Sequence, residues 1–124
     1  MAMTFYNKFT NSSDAYSAGT EVHYEGETLQ ERRDRKVGIF VIDAMAIEGI
    51  DVRDNVQTQV TKDMVKNYDK VICMAQRENT PDWLENAPNC VRWDVDDPGG
   101  KGIEETNKAK EIVKSKVLDF IKNS

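Results

Sequence analysis

The sequence predicts a single α/β domain with a mostly parallel sheet and helices on its faces. A continuous apolar run at 71–75 and an alternating segment at 90–95 are typical of strands. Apolar residues recur at helical spacing in 2–9, 37–47 and 109–121. Because helices and strands alternate along the chain, the sheet is expected to be parallel. The chain has 124 residues, so we interpret 1–124 as one domain.

The first half of the chain is expected to hold two helices with a short strand between them. The helix at 2–9 ends in the polar cluster at 11–14, and residues 15–18 suit a brief strand that turns at Gly19. The charged stretch 20–36 indicates a solvated loop or helix face. Gly49 is placed to end the second helix, and Ile50 and Val52 then form a short extended anchor.

The second half is expected to hold two strands and a long terminal helix. Thr61 can cap a short helix that runs to Asn67. The run at 71–75 predicts a strand covered on both faces, and 90–95 a strand nearer the sheet edge. Ligands of parallel sheets bind beyond the carboxyl ends of the strands. We therefore expect a site near Gly19, the loop after Met74 and the loop at 96–100.

The composition argues against several classes of partner. A formal net charge of -5 leaves no basic excess to neutralise phosphates, so nucleic acid and anionic membrane are poor candidates. No apolar run approaches the roughly 20 residues of a membrane-spanning helix, and 1–10 does not resemble a signal peptide. Cys73 and Cys90 are too few for a disulfide scaffold, which predicts a reduced, cytoplasmic protein.

Three segments, taken in order, resemble one known family. They are 1–6 with 16–20, 48–51 followed by 71–74, and the segment Trp-Asp-Val-Asp-Asp-Pro at 93–98. In this order and at these separations they are similar to the low-molecular-weight protein tyrosine phosphatases and the related thioredoxin-coupled arsenate reductases. The resemblance covers the whole chain. It implies a three-layer fold of the phosphotyrosine phosphatase I type, in which the first of four parallel strands lies between the second and the third.

The resemblance also implies a phosphate-binding loop, Cys-x5-Arg-Ser, after the first strand. Backbone N–H groups and a helix N-terminus hold an oxyanion there, and the same positive field activates the cysteine as a thiolate. In the family, the helix continues from this loop into a Met-Ala pair, which here is the first two residues. The loop is not present in the sequence, because Cys73 has Asn79 and Cys90 has Asp96 where the arginine is required. We therefore expect the chain as given to be inactive.

Neither cysteine is expected to replace the missing nucleophile. Cys73 lies within an apolar strand run, where a buried, unreactive thiol is the usual case. Cys90 begins a strand, and a structural role is favoured there as well. The two are too far apart in sequence to match the closely spaced cysteines of the arsenate reductases, which argues against a thiol relay.

Asp97 is the one catalytic residue that the resemblance carries over. It directly precedes Pro98 and corresponds to the family's general acid, which protonates the leaving oxygen and later activates water. Proline favours extended backbone at Asp97, although an Asp-Pro step is more often just a turn. Asp94 and Asp96 are weaker candidates. Two glycines follow Pro98 where many phosphatases of the family carry tyrosines, which disfavours phosphotyrosine as a substrate.

No cofactor or metal is expected, since the family's chemistry requires none. His23 is the sole histidine and has no partners at ligand spacing, so it is interpreted as a surface residue. Trp83 and Trp93 are expected to pack near the rim of the site. Ser17 and Gly19 match a turn that supports the phosphate-binding loop in the family.

The missing first strand of the family has consequences for stability and assembly. A central strand buries several apolar side chains, worth about 6–15 kcal/mol, which is comparable to the stability of a whole domain. We expect a second copy or another strand to fill the gap, or the strands to close up in a changed order, or the fold to be marginal. The implied ligand is a phosphate-like oxyanion.

Three hypotheses for function remain open at this stage. The chain is an inactive member of the phosphatase and arsenate reductase family, or a non-catalytic binding or regulatory protein with the same fold. Alternatively, it is an N-terminally truncated form of an active enzyme whose reading frame begins upstream.

Overall fold

The computed structural model describes residues 1–22, 24–36, 40–95 and 102–123. In this part of the chain four helices precede the first strand, a short helix separates it from the second, and the two strands are parallel neighbours, which confirms the predicted mixed α/β class. No helix within it is long and apolar enough to cross a bilayer. The elements in chain order are α1 (Ala2–Thr10), α2 (Leu29–Asp34), α3 (Val41–Ile47), α4 (Lys62–Lys66), β1 (Val71–Cys73), a 3-10 turn (Arg77–Asn79), α5 (Asp82–Glu85), β2 (Cys90–Arg92) and α6 (Ile103–Lys122).

Strand β1 uses one of its two edges for pairing. The N–H of Val71 donates to the carbonyl of Asn89 at 2.9 Å, and the N–H of Trp93 donates to the carbonyl of Cys73 at 3.0 Å. Alternate residues of a parallel strand point their backbone groups to opposite edges. The N–H and C=O of Ile72 therefore point away from β2, towards an edge that no described strand occupies.

One hydrophobic core forms where α1, α3 and α6 meet. Phe5 of α1 and Met45 of α3 are fully buried, and Val52, in the predicted anchor after α3, is 2% exposed. The spacing of Val113 and Val117 places both on one face of α6, and this face completes the cluster with Ile42. Helix α1 ends at Thr10, and the next residue, Asn11, adopts the left-handed conformation at φ 51°.

A second, smaller core lies against the sheet. It contains Val65 of α4, Cys73 of β1 and Leu84 of α5. The hydroxyl of Thr61 accepts a hydrogen bond from the N–H of Met64 at 3.3 Å, so the predicted cap of α4 is confirmed. The buried residues of the two cores fall into separate clusters, but Met74, Trp93 and Val95, which follow the strands, pack against the first cluster and join the sheet to the helices.

The prediction of a strand at 15–18 is wrong. This segment has no regular structure, and Asn7 holds it through two hydrogen bonds to the backbone of Ala15 at 2.9 and 3.1 Å. The strand predicted at 90–95 ends at Arg92, and the one predicted at 71–75 ends at Cys73. Within the charged stretch 20–36, the structure forms α2. Residues 37–39, at the predicted start of the second helix, lie outside the described residues.

Candidate functional site

A cavity of about 200 Å³ opens at the carboxyl ends of β1 and β2. The sequence predicts a ligand site beyond these strand ends, and the loop after Met74 does lie there. The walls come from two segments that leave the sheet side by side. The cavity is lined by Met74, Ala75, Gln76, Arg77, Glu78, Arg92, Trp93, Asp94 and Val95.

Arg92, the last residue of β2, organises the wall of this cavity. Its Nε donates to Oε1 of Glu85 at 3.2 Å and its Nη2 donates to Oε2 at 2.6 Å. Nη1 donates to the carbonyl of Ala75 at 2.6 Å, and Nη2 also donates to Oγ1 of Thr80 at 3.0 Å. The guanidinium thus ties the loop after β1 and the end of α5 to β2.

The charges of Arg92 and Glu85 stabilise each other. The hydrogen bond from Arg92 is the main reason that the pKa of Glu85 lies below its ordinary value. The same bond raises the pKa of Arg92 further above its already high value. Only 12% of the Arg92 side chain is exposed, and most of its N–H groups are directed at protein acceptors. Arg92 therefore positions the loop and has little capacity left to bind a ligand.

Arg77 is the cation that faces the mouth of the cavity. Its side chain is 66% exposed, and its Nη1 lies 3.3 Å from Oε1 of Glu85. Its Nη2 lies 3.6 Å from a carboxylate oxygen of Asp94, whose side chain is 75% exposed. Contacts between exposed ions of this kind are weak and exchange easily with solvent. Arg77 is thus the described cation best able to contact an anion in the cavity.

The two thiols do not line the cavity. Cys73 is 5% exposed, and its Sγ lies 3.6 Å from Nη2 of Arg92 and 3.9 Å from Oγ1 of Thr80. Cys90 begins β2, and burial is the main cause that raises the pKa of its thiol. Both cysteines are free. A buried thiol and a protonated thiol are poor nucleophiles, which agrees with the structural role predicted for both.

Of the other residues predicted for the site, the structure brings Trp93 and Asp94 to the cavity. The ring of Trp93 packs edge-on against Phe120, with centroids 6.2 Å apart. Trp83 instead packs against the second core and lines a pocket at the opposite, amino end of the strands, so it does not reach this cavity. Gly19 pairs with 58–60, since its N–H donates to the carbonyl of Thr58 at 2.8 Å.

Asp97, the predicted general acid, lies outside the described residues, as do Asp96 and His23. The described chain stops two positions before Asp97, at Val95, which lines the cavity. Among the residues described, no group of three or more His, Cys, Asp and Glu side chains is arranged to hold a metal ion.

Sequence reasoning missed the network around Arg92. One signal was available, because Cys90 and Arg92 are two positions apart and so share one face of β2. If the side chain of Cys90 points into the protein, the side chain of Arg92 does so too. A largely buried arginine requires a carboxylate partner. The identity of that partner, Glu85, depends on the fold of the loop between the strands.

Comparison with known proteins assigns no family, since no family model matches the chain and a search of curated proteins finds no match.

Proposed function

We propose that this chain is a domain of the low-molecular-weight protein tyrosine phosphatase and arsenate reductase type, with the scaffold of an oxyanion site but not its nucleophile. The open edge of β1 is the observation that carries this proposal. By the resemblance, β1 corresponds to the family's third strand, whose neighbour is the first strand. An unoccupied edge at β1 is what such a chain would have if that strand and the loop after it were missing.

Two further features support the proposal. The apolar side chains form one cluster around α1, α3 and α6 and another around α4, α5 and β1, as expected if helices cover two faces of a sheet. The cavity at the strand ends presents Arg77 and lies next in sequence to the segment that holds Asp97. A phosphate-like oxyanion held there by Arg77 would displace the carboxylate of Asp94, which lies 3.6 Å from the guanidinium and lines the cavity with Glu78.

On this proposal the chain hydrolyses no aryl phosphate by itself. The family mechanism needs a thiolate beside the oxyanion, and neither cysteine of the chain lines the cavity. Asp97 would remain as a general acid, but without a nucleophile no covalent intermediate forms for it to hydrolyse.

The test compares the 124-residue chain with an extended form. The extension adds a strand of five apolar residues and a Cys-x5-Arg-Ser loop joined directly to Met1. We expect no turnover of p-nitrophenyl phosphate by the original chain, and turnover by the extended one that is lost when the added cysteine is changed to serine. Asp97→Asn in the extended form should lower the rate. Turnover by the original chain that requires Asp97 but neither Cys73 nor Cys90 would overturn the proposal, as would a folded but inactive extended chain.

A non-catalytic role is the second candidate, and it also depends on the edge of β1. Backbone groups such as those of Ile72, which pair with no described strand, are a template on which another strand can pair. The occupant would be a second copy of this chain or a strand from a partner. We expect light scattering to show a mass above that of the monomer, or hydrogen exchange at Ile72 to slow when a partner binds. A monomer that keeps a rapidly exchanging Ile72 amide in cell extract would count against this role.

We also infer a cytoplasmic location. Cys73 and Cys90 are both unpaired, and unpaired cysteines with no disulfide are usual in reducing compartments. Recovery of the tagged protein in the cytoplasmic fraction would support this, and recovery outside it would not.

A further inference from the structure

A trough at the amino ends of the strands is separate from the cavity described above. It lies between α4 and α5 and encloses about 710 Å³, within the usual range for a small-molecule site. Most of its surface is apolar. Tyr68, just before β1, and Asn89, just before β2, mark the end of the sheet at which it lies. The lining residues most relevant to binding are Lys62, Lys66, Tyr68, Trp83 and Asn89.

The trough carries positive charge, whereas the chain as a whole is negatively charged. The formal net charge is -5, yet Lys62 and Lys66 line the trough and no Asp or Glu among the described residues does. The two lysines are four positions apart on α4, so they lie on the same helix face, where like charges destabilise the helix. No residue in the described ranges forms an ion pair with either lysine. An anion seated between them would remove this repulsion.

The floor of the trough is apolar and aromatic. Val65 is 6% exposed, and Trp83 packs against the core that contains it. The side-chain amide of Asn89 donates to the carbonyl of Val65 at 2.8 Å and to that of Tyr68 at 2.7 Å. These two bonds hold the end of α4 and the chain after it in place. A planar ring fits such a floor better than a ringless anion does, because it can stack on or contact aromatic side chains.

We propose that this trough is a binding site for a small aromatic anion, a molecule that joins a planar ring to a phosphate or carboxylate group. The ring lies over the floor beside Trp83 and Tyr68, and the anionic group lies between Lys62 and Lys66. The site is independent of the proposed function, because no residue of the strand-end cavity contributes to it.

The test uses phenyl phosphate as the probe, with benzyl alcohol and inorganic phosphate as matched compounds that lack the charge or the ring. Binding is followed by the indole N–H signals of Trp83 and Trp93 in NMR spectra, which the variant Trp93→Phe assigns. We expect phenyl phosphate to shift the Trp83 signal saturably and to bind at least tenfold more tightly than either matched compound. The Trp93 signal, at the other end of the sheet, reports any binding in the strand-end cavity and is scored separately.

Two double variants locate the charge effect. Lys62→Gln with Lys66→Gln should weaken binding at least tenfold. Lys36→Gln with Lys122→Gln changes the net charge equally at exposed positions that do not line the trough and should leave binding unchanged. Equal weakening by both pairs, or shifts at Trp93 alone, would overturn the proposal. If benzyl alcohol binds as tightly as phenyl phosphate, the trough is an apolar surface that does not select for charge, and the proposal fails. If an acidic peptide binds more tightly than phenyl phosphate, the trough is a peptide site, and the proposal fails as well.

Discussion

The Arg92 guanidinium donates two hydrogen bonds to the Glu85 carboxylate, from Nε to Oε1 at 3.2 Å and from Nη2 to Oε2 at 2.6 Å. Glu85 is the last residue of α5 and Arg92 the last of β2. This pair fixes the end of a four-residue helix against the sheet. The same guanidinium reaches Ala75 and Thr80, so the loop between them depends on it as well.

Loss of Arg92 is expected to expose the thiol of Cys73. In a Cys90→Ser background, Arg92→Met should speed the reaction of Cys73 with a disulfide reagent roughly tenfold, because the loop at 75–80 opens more often. The control is Arg77→Met, which removes an exposed arginine that also contacts Glu85. Equal labelling rates in the two variants would contradict the positioning role of Arg92.

The carboxyl group of Asp51 is expected to titrate at unusually low pH. Hydrogen bonds from the side chain and the backbone N–H of Arg53 lower its pKa from 3.8 to about 2. A folded-state pKa below the unfolded one contributes stability that is fully present above about pH 4 and is lost as the pH falls towards 2.

The measurement for Asp51 is a carboxyl-carbon NMR titration of the folded chain. Arg53→Gln should return the pKa of Asp51 towards its ordinary value, since the side chain of Arg53 is the largest cause of the shift. Arg77→Gln, at the other arginine site, should leave it unchanged. A pKa near 3.8 in the original chain would refute the prediction.

Glu48 is expected to matter more for stability than Lys110, although the two are partners. Oε1 of Glu48 lies 3.3 Å from Nζ of Lys110, and Oε2 lies 2.9 Å from Nζ of Lys114. Lys110→Met leaves Glu48 paired with Lys114. Lys110 is only 3% exposed. In Glu48→Ala its ammonium group keeps two contacts, the carbonyl of Ala44 at 3.2 Å and the carboxylate of Glu111 at 3.8 Å. A buried charge without its partner is costly.

Urea denaturation gives the comparison. The unfolding midpoint should fall further for Glu48→Ala than for Lys110→Met. Lys114→Met is the matched control, because it removes the more exposed of the two lysines and should have the smallest effect. The reverse order would show that the aliphatic part of Lys110, rather than its charge, is what stabilises the fold.

Thr28→Ala is expected to fray α2 without unfolding the chain. The Thr28 hydroxyl accepts from the N–H of Glu31 at 3.1 Å, and the Glu31 carboxylate accepts from the N–H of Thr28 at 3.3 Å. This capping box holds a helix with no buried residues. Its loss should cost about 1 kcal/mol, which corresponds to hydrogen exchange about fivefold faster at Glu31. Thr28→Ser keeps the hydroxyl and should exchange at the original rate; equal exchange in both variants would contradict the role of the cap.

The parts of the fold that could be predicted are those set by local pattern. The apolar spacing in α1 and α6, the cap at Thr61 and the glycine after α3 each depend on residues within a few positions of one another. Gly49 adopts φ 74° beyond the end of α3, which a glycine accommodates without strain. Short-range physics is enough to specify such features.

The parts that could not be predicted depend on a neighbour distant in the chain. Residues 15–18 have a composition that suits a strand, yet a strand forms only when another one pairs with it. No described strand does so here, and the side chain of Asn7 forms hydrogen bonds to the backbone of this segment instead. The Arg92 network likewise depends on how the loop between β1 and β2 folds. Asp97 stays a prediction from the sequence.

The packing of α1 against α6 affects how the chain folds during its synthesis. Phe5 is fully buried in a cluster completed by Val113 and Val117, and about 100 residues separate the two sides of that contact. A ribosome adds roughly 5–20 residues per second, so α1 emerges roughly 5–20 s before its partner has been made. During that interval the apolar face of α1 is open to chaperones and to other nascent chains. The helical core can therefore close only after α6 has been synthesised, which makes the step vulnerable to aggregation when synthesis is slow.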